Sequence, residues 1–252
     1  MSPPSPRTIA VIAVRMGSQR LPGKVLRAVA GKPLLGHLLD RAQRATTLDG
    51  VVVATPESAI NDAVADYCST RGVPCFRGSE EDVSARILGA LEREGATVGV
   101  MLYGDGPLMD PRIIDTCVEE YRKNSWDWVG NDLKPGCPSG LFVEAFSVAA
   151  LRDAMSRCTD PAIREHGTLC LRQDGEHHAI HHLEVTGVLQ RPDIYLTVDT
   201  DEDMTMMEAI FAHFASRNDF GAEEIIAFLD AHPDVARGNQ HIHRRWKKYQ
   251  QA

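Results

Sequence analysis

The pattern of hydrophobic and polar positions predicts strands and helices in alternation over most of the chain. Residues 9–14 form a short apolar run that leads into a glycine-containing loop, which is typical of a strand buried on both faces. Leucines at positions 34, 35, 38 and 39 then recur at helical spacing. The alternation continues with predicted strands at 51–55, 74–76, 98–103 and 126–129, separated by predicted helices at 58–71, 80–94 and 110–123. This order predicts an α/β fold with a doubly wound, mostly parallel sheet covered on both faces.

The pattern changes after residue 131. After an apolar segment at 141–146, we predict helices at 147–157 and 160–173, a strand at 195–198 and final helices at about 200–215 and 222–231. Because the regular alternation is interrupted, we interpret 131–189 as an inserted arm. The prediction is a single domain over 7–232, followed by a polar tail at 233–252.

Composition and charge narrow the class of protein. The chain is 43% hydrophobic and 25% charged, as in an ordinary globular protein, and its net charge of −8 argues against general nucleic-acid binding. The six cysteines include no CxxC pair, so we expect reduced thiols and neither a zinc site nor disulfides. No apolar run is long enough to span a membrane, and the first residues lack the apolar stretch of a signal peptide. We therefore expect a cytoplasmic protein with no membrane partner.

The first segment with candidate chemistry is the loop at 15–24, between a predicted strand and a predicted helix. In open parallel sheets ligands bind beyond the carboxyl ends of the strands. Gly17 and Gly23 would let the backbone approach an anion. Arg15, Arg20 and Lys24 would neutralise a triphosphate. The alternative is a basic surface loop with turn-forming glycines.

Two further segments carry carboxylates at the ends of predicted strands. Asp105 follows the strand at 98–103 and would face the same crevice as the basic loop, a placement suited to Mg²⁺. An aspartate there could also be only a turn former. Asp199 follows the strand at 195–198 and precedes a helix whose first turn is acidic, and helix capping accounts for Asp201 and Asp203 without a metal.

These segments, taken together, resemble a known family. The loop at 15–24 reads RMGSQRLPGK, the turn at 104–108 reads GDGPL, and 198–203 reads VDTDED. These match the RxGSxRLPGK, GDxPL and VDTxED patterns of cytidylyltransferases that activate acidic sugars. The group includes the acylneuraminate and 3-deoxy-manno-octulosonate enzymes and, most similar, the spore coat polysaccharide biosynthesis protein F type. The resemblance extends over about residues 8–210.

The resemblance implies a Rossmann-like, Mg²⁺-dependent enzyme that transfers CMP from CTP to a small anionic acceptor. It implies that Asp105 and Asp199 are the metal pair and that the arm helps to form a homodimer. Carried over from the family motifs, the expected nucleotide-binding residues are Arg15, Gly17, Ser18, Arg20, Lys24, Thr55, Arg77, Ser79 and Asp105. The expected catalytic residues are Arg15, Lys24, Asp105 and Asp199, and the expected acceptor-binding residues are Glu144, Arg164 and His166.

Departures from the family pattern concern the acceptor more than the nucleotide. Ala13 stands where the family usually has Gln, Met101 replaces a frequent basic residue, and Phe142 replaces a carboxylate. The acceptor is left open between a keto sugar acid, a sugar phosphate and a phosphonate, in polysaccharide or phosphonate biosynthesis. Two other functions stay open: a nucleotide-sugar-dependent glycosyltransferase, which normally carries a DxD motif, and a non-catalytic nucleotide-binding subunit.

Two other clusters carry weaker alternatives. The histidines at 177, 178, 181 and 182 could suggest a metal site, but they lack cysteine or clear carboxylate partners. The basic run at 241–248 could suggest nucleic-acid contact, but a short solvated charge run is the commoner meaning.

Overall fold

The structure is a computed structural model that describes residues 6–215, 217–244, 247 and 250. Its strands are β1 (Thr8–Ala13), β2 (Ala28–Val29), β3 (Lys32–Pro33), β4 (Gly50–Pro56), β5 (Cys75–Gly78), β6 (Val98–Tyr103), β7 (Trp128–Gly130), β8 (Val143–Ser147) and β9 (Ile180–His182). Its α-helices are α1 (Leu34–Ala42), α2 (Asp62–Thr70), α3 (Val83–Arg93), α4 (Pro111–Lys123), α5 (Val148–Arg157), α6 (Pro161–Arg164), α7 (Leu169–Arg172), α8 (Asp201–His213), α9 (Ala222–Ala231) and α10 (Pro233–Arg237). Short 3₁₀ turns lie at Lys24–Leu26, Ala59–Asn61 and Gly187–Leu189.

Within the described residues, seven strands form one central sheet in the order β5-β4-β1-β6-β8-β7-β9, and β2 pairs with β3 in a separate hairpin. The strands β5, β4, β1 and β6 are parallel to one another. β8 is antiparallel to both β6 and β7, and β9 is parallel to β7. The prediction of a mostly parallel sheet is confirmed.

The apolar sequence of β1 follows from its position at the centre of the sheet. Val11 pairs with Val52 of β4 on one side and with Met101 of β6 on the other. Successive side chains point to opposite faces of the sheet. Ala10 and Ile12 pack with α1, α2 and α4, whereas Ile9 and Val11 pack with α3 and α5. Both faces are covered, so a polar residue in this strand would have no access to water.

A third apolar cluster holds the C-terminal half of the chain against the sheet. It joins α8 and α9 to the extended segment that contains Ile194, Leu196 and Val198. Phe220 and Phe214 stack there, with ring centroids 4.2 Å apart. This cluster fixes where the chain returns to the carboxyl edge of β1 and β6 before α8 begins.

The segment 131–189 is more deeply built into the fold than an arm would be. Its strands β8 and β9 belong to the central sheet, and β8 lies between β6 and β7. The predicted role of this segment in forming a homodimer stays a prediction.

Two predicted elements differ in the structure. The helix expected at 160–173 is divided into α6 and α7, because Gly167 between them has a φ of +62°, which no helix accommodates. The strand expected at 195–198 is extended but makes only an isolated bridge, between Tyr195 and Ser139. Its N–H groups are used by neighbouring loops: Leu196 donates to the Ser139 carbonyl and Val198 to the Asp105 carbonyl, each at 2.8 Å.

The residues after 232 also differ from the expected polar tail. Asn239 and Arg244 are 0% and 2% exposed, so this part of the chain packs on the body of the molecule. Arg244 is buried because it meets the carboxylate of Asp203, a partner that hydrophobic patterning does not reveal. The rest of the basic run, at 245, 246 and 248, lies outside the described residues. In the described part of the chain, no helix combines the length and the apolar character needed to cross a membrane.

Gly140 provides a test of this architecture, because it lets two loops approach closely. Its φ is +89°, and a Cβ added there would lie 2.6 Å from the carbonyl carbon of Leu196 and 2.7 Å from its oxygen. We predict that Gly140→Ala lowers the free energy of unfolding by about 2–4 kcal/mol through left-handed strain and backbone overlap. Urea unfolding followed by circular dichroism measures this change.

The matched control is Gly136→Ala in the same loop, where an added Cβ meets nothing within 4 Å. It should leave stability within about 0.5 kcal/mol of the parent. Equal stability of the two variants would contradict the close approach of Gly140 to Leu196.

Candidate active site

The loop that follows β1 is folded around a single carbonyl group. The N–H groups of Ser18 and Gly23 both donate to the Met16 carbonyl, at 2.9 and 3.0 Å. The N–H of Met16 itself donates to Oδ1 of Asn61 at 2.8 Å, and Asn61 is fully buried at the start of α2. The loop therefore has a defined shape at the carboxyl edge of the sheet.

Lys24 ends this loop and lies between two carboxylates. Its Nζ donates to Oδ1 of Asp199 at 2.8 Å and to Oδ2 of Asp105 at 3.3 Å. A third hydrogen bond, of 2.8 Å, goes to the carbonyl of Val198. We call Lys24, Asp105 and Asp199 the Lys24 centre. The structure thus brings together three residues that the sequence places far apart.

Close backbone approaches carry these residues to one point. Asp105 lies in the turn after β6, and a Cβ on the preceding Gly104 would lie 2.8 Å from the carbonyl oxygen of Ala13 and 2.2 Å from Cγ1 of Val14. A glycine is therefore required for the turn to lie against the end of β1. On the other side, the N–H of Val198 donates to the Asp105 carbonyl, so Asp199 follows directly.

Burial and charge act against each other within the centre. Burial alone would lower the pKa of Lys24, but the charges of Asp105 and Asp199 outweigh it and the pKa is raised. Burial would raise the pKa of Asp199, yet Lys24 and Arg20 bring it below its ordinary value. The pKa of Asp105 is raised, because burial and the neighbouring Asp199 outweigh the attraction of Lys24. The two carboxylates are thus electrostatically unequal.

The remaining cations of the loop lie on either side of the centre. Nη2 of Arg20 is 2.9 Å from Oδ2 of Asp199, and this side chain is 33% exposed. Arg15 is exposed, and within the described residues no hydrogen bond or ion pair engages its guanidinium. It lines a cavity of about 770 Å³ that also includes Ser79 and Arg164. Gly17 lies between Arg15 and Arg20 in the sequence and is exposed.

Three of the expected nucleotide-binding residues lie at or directly after the ends of β4 and β5. Thr55 is fully buried, and its hydroxyl has no partner among the described residues. The guanidinium of Arg77 donates to the Glu57 carbonyl at 2.6 Å and is paired with Asp62, also at 2.6 Å. Ser79 Oγ accepts from the N–H of the N-cap residue of α3 and lines the same cavity as Arg15. Arg77 thus orders the loop after β4, and its contact with a nucleotide stays a prediction.

Glu144 differs from its predicted role, because its carboxylate does not reach the crevice. It is fully buried in β8 and accepts hydrogen bonds from the Tyr103 hydroxyl, the Thr168 hydroxyl and, at 2.8 Å, Trp128 Nε1. Nη1 of Arg172 is 3.6 Å away. Its lone pairs are used internally, so Glu144 holds Tyr103 and the surrounding sheet rather than facing an acceptor.

Arg164 is the last residue of α6, and His166 follows two positions later, before α7. Nε of Arg164 donates to Asp82 at 2.8 Å, and Nη1 donates to the carbonyls of Met155 and Cys158. Arg164 borders the cavity while linking α6 to the start of α3. His166 is half-buried. Contact of either residue with an acceptor stays a prediction.

Sequence reasoning missed four polar residues that shape the site. Asn61 holds Met16 and also donates to Ser58 Oγ at 2.8 Å, while Ser58 in turn donates to Glu80 at 3.0 Å. An asparagine at the start of a helix reads only as a cap, so its role was not visible. Arg244 lies in a sequence typical of a solvated charge run, because nothing in its local sequence identifies its distant partner.

The oxygen donors of the Lys24 centre fit a hard divalent cation in part. Mg²⁺ is usually bound by one or two carboxylates together with substrate phosphates, and Asp105 and Asp199 supply two such carboxylates. Among the residues that the structure describes, no group of three or more His, Cys, Asp or Glu is arranged to hold a metal. The histidines at 177–182 are included in that result. A metal at the centre therefore requires ligands from a substrate.

Comparison with known proteins agrees with this geometry. The model of the family described as Cytidylyltransferase matches residues 9–228. The spore coat polysaccharide biosynthesis protein SpsF of Bacillus subtilis is 31% identical over 231 residues, which cover 90% of this chain and 95% of that protein. An uncharacterized protein of Methanocaldococcus jannaschii is 33% identical over 246 residues, covering 98% of this chain and 99% of its own.

The same family relationship is found among solved structures. A cytidylyltransferase from Leptospira borgpetersenii superposes with a TM-score of 0.88 at 28% identity, covering 95% of this chain and all of that one. The fold and the resemblance inferred from residues 15–24, 104–108 and 198–203 are confirmed.

The Lys24 centre predicts a pH-dependent loss of stability. Lys24→Met removes the cation between Asp105 and Asp199, so the pKa of Asp105 in the folded state should rise further above the ordinary 3.8, while Arg20 still pairs with Asp199. An acid with a raised folded pKa favours unfolding as the pH rises above its unfolded value. We expect the variant to lose about 2 kcal/mol near neutral pH and clearly less at about pH 5, measured by urea unfolding.

Arg27→Met is the matched control, since Arg27 pairs with the exposed Asp201 and not with the centre. Its stability should match the parent at both pH values. A deficit in Lys24→Met that is equally large at acid and neutral pH would show that charge repulsion is not its cause.

Proposed function

The chain belongs to the cytidylyltransferase family, and we propose that it transfers CMP from CTP to a small anionic acceptor and releases pyrophosphate. The observation that carries this proposal is the Lys24 centre, in which a lysine lies within 3.3 Å of two carboxylates from separate loops. The centre lies at the carboxyl edge of the parallel strands, where ligands bind in such sheets. Family membership supports CTP as the nucleotide.

The loop after β1 is suited to the triphosphate. Among the residues that the structure describes, Arg15 has no partner, and Arg20 and Lys24 are engaged only by acidic or carbonyl oxygens that a polyphosphate would replace. The backbone around Gly17 and Ser18 is already ordered by the Met16 carbonyl, so little conformational entropy is lost on binding. We assign phosphate binding to this loop.

Asp105 and Asp199 would hold the divalent cation, for which we propose Mg²⁺. Bound there with the phosphates of CTP, the cation supplies Lewis-acid stabilisation of charge at the α-phosphate. The two carboxylates would contribute to metal binding differently, because their pKa values are shifted in opposite directions. Asp199 stays ionised because cations surround it, whereas Asp105 is the carboxylate whose ionisation a bound cation would promote.

The reaction we propose is an in-line displacement. An oxygen of the acceptor forms a bond to the α-phosphorus, the bond from that phosphorus to the bridging oxygen of the β-phosphate breaks, and pyrophosphate leaves with the electron pair. A proton on an acceptor hydroxyl is released to solvent. Arg15, Arg20 and Lys24 stabilise the charge that develops on the leaving group. No covalent enzyme intermediate is needed.

The cavity of about 770 Å³ is where we place the acceptor or the nucleoside. Ser79 and Arg164 line it, and Thr55 and Arg77 lie at the ends of the neighbouring strands. Arg15, which also borders it, would pair with an acceptor carboxylate, phosphate or phosphonate. Met101 and Phe142, which depart from the family pattern, favour an acceptor other than a standard keto sugar acid. We further propose that the enzyme acts as a homodimer in the cytoplasm.

Neither alternative function gains support from the site. The turn after β6 reads Asp105-Gly106-Pro107, without the DxD pattern of nucleotide-sugar-dependent glycosyltransferases. A non-catalytic nucleotide-binding subunit would need only the basic loop, and the paired carboxylates at 105 and 199 would have no purpose there.

Pyrophosphate release with each nucleoside triphosphate, a divalent cation and a pooled panel of acceptors tests the proposal. We expect release with CTP and one acceptor class. Asp105→Asn and Asp199→Asn should each lower kcat by about 10²-fold or more, because they remove charge from the proposed metal site while keeping the size of the side chain.

Asp201→Asn is the matched control, because Asp201 is exposed in the first turn of α8, two residues from Asp199. It should retain activity within about twofold. If CTP with Mg²⁺ binds but no acceptor is turned over, the panel lacks the substrate; if CTP does not bind at all, the proposal is wrong.

A further inference from the structure

Residues beyond the family match pack against the Lys24 centre. The family model ends at residue 228, whereas Asn239 and Arg244 lie 11 and 16 positions further on and are buried. We call residues 238–244 with 247 and 250 the C-terminal segment. The carbonyl of His243 in this segment accepts a hydrogen bond from Arg20 at 3.4 Å, so the segment touches the basic loop directly.

The main anchor of the C-terminal segment is a buried ion pair. The two terminal nitrogens of Arg244 donate to the two oxygens of Asp203 at 3.0 and 2.7 Å. Both side chains are completely buried. Asn239 adds a hydrogen bond of 2.7 Å to the same carboxylate. A two-pronged arginine contact fixes the orientation of the carboxylate as well as its position.

Asp203 in turn holds the backbone of Asp199 in place. Its Oδ2, which Arg244 contacts, also accepts the backbone N–H of Asp199 at 2.8 Å and that of Thr200 at 3.0 Å. Nη1 of Arg244 lies 3.8 Å from the carboxylate of Asp199 itself. One guanidinium therefore restrains both the backbone and the side chain of a residue in the Lys24 centre.

The segment also closes over the extended chain that leads to Asp199. The guanidinium of Arg244 lies 5.1 Å from the centre of the Tyr195 ring, and Nζ of Lys247 lies 4.8 Å from it. Nζ of Lys247 also donates to the Tyr195 hydroxyl at 2.7 Å, and Asn239 donates to the Tyr195 carbonyl at 2.9 Å. Residues 195–199 are therefore held by the C-terminal segment as well as by Lys24.

We propose that Arg244 is a positioning residue for the metal–nucleotide site: through Asp203 it holds Asp199 in the orientation that binds the divalent cation with CTP. This inference rests on the proposed function for the identity of the ligands. It assigns a role in the site to residues that lie beyond the end of the family match at residue 228. Groups that orient a metal-binding carboxylate typically change metal affinity or activity by about 10–100-fold when they are removed.

Binding of Mn²⁺ tests this role without any need for turnover. The full-length protein is titrated with Mn²⁺ in the presence of CTP and no acceptor, and free Mn²⁺ is followed by electron paramagnetic resonance. Arg244→Gln should weaken Mn²⁺ binding by about tenfold or more, and Arg244→Lys, which keeps the charge but loses the paired geometry, should give a smaller loss. In the pyrophosphate assay the half-saturating metal concentration should rise and kcat fall, with the KM for CTP at saturating metal little changed.

Arg237→Ala is the matched control, because Arg237 lies seven positions earlier and pairs only with the exposed Asp234 among the described residues. It should bind Mn²⁺ like the parent. Thermal unfolding checks that each variant is folded; if Arg244→Gln is not, Arg244→Lys and Asn239→Ala carry the test, since both act on the same carboxylate.

The outcomes separate the two proposals. Parent-like Mn²⁺ affinity and kcat in folded Arg244→Gln, with an active parent, would overturn the positioning role and leave the proposed function intact. Weakened Mn²⁺ binding in this variant, with a parent that binds Mn²⁺ but no CTP, would support the positioning role while the proposed function fails.

Discussion

The charge of Lys24 between Asp105 and Asp199 is the interaction on which the rest of the site depends. Two carboxylates so close together in a partly buried crevice repel each other strongly, and a cation is needed to keep both ionised. Lys24 supplies it at 2.8 and 3.3 Å. Because this lysine ends the loop after β1, that loop must fold back over the sheet edge, and its arginines are thereby directed to the same crevice.

Bringing the carboxylates together also sets demands on the backbone. The turn carrying Asp105 lies against the end of β1 only because residue 104 has no side chain, and the chain before Asp199 lies against Gly140 for the same reason. Parallel strands favour this arrangement, since the loops that follow β1, β4, β5 and β6 all begin at the same edge of the sheet. The third residue of the Lys24 centre, Asp199, follows a segment that is not a strand of the sheet. It is held instead through Asp203 and Arg244.

The fold was predictable because its signals are local, and the residues of the Lys24 centre were predictable because they lie in short motifs that resemble a known family. The position of Lys24 between the two carboxylates was not predicted. Strands such as β1 are continuous apolar runs, and the glycines and charges of 15–24 and 104–105 are contiguous in sequence. The burial of Glu144 and the pairing of Arg244 with Asp203 were not predictable, because each depends on partners distant in the chain. The prediction of a strand at 195–198 failed for a related reason. The segment has the apolar pattern of a strand, but its N–H groups donate to loop carbonyls instead of to a neighbouring strand.

The distribution of charge around the cavity bears on the choice of acceptor. Arg164 faces it but is paired with Asp82 at 2.5 Å, and Glu80 and Glu81 add negative charge to the same wall. Arg15 is thus the cation of this wall whose charge no described residue offsets by an ion pair. A strongly anionic acceptor placed there would need Arg15, which the triphosphate also attracts. Competition between the two substrates for one arginine favours an acceptor whose charge lies close to the α-phosphate, where a single guanidinium and the bound cation serve both.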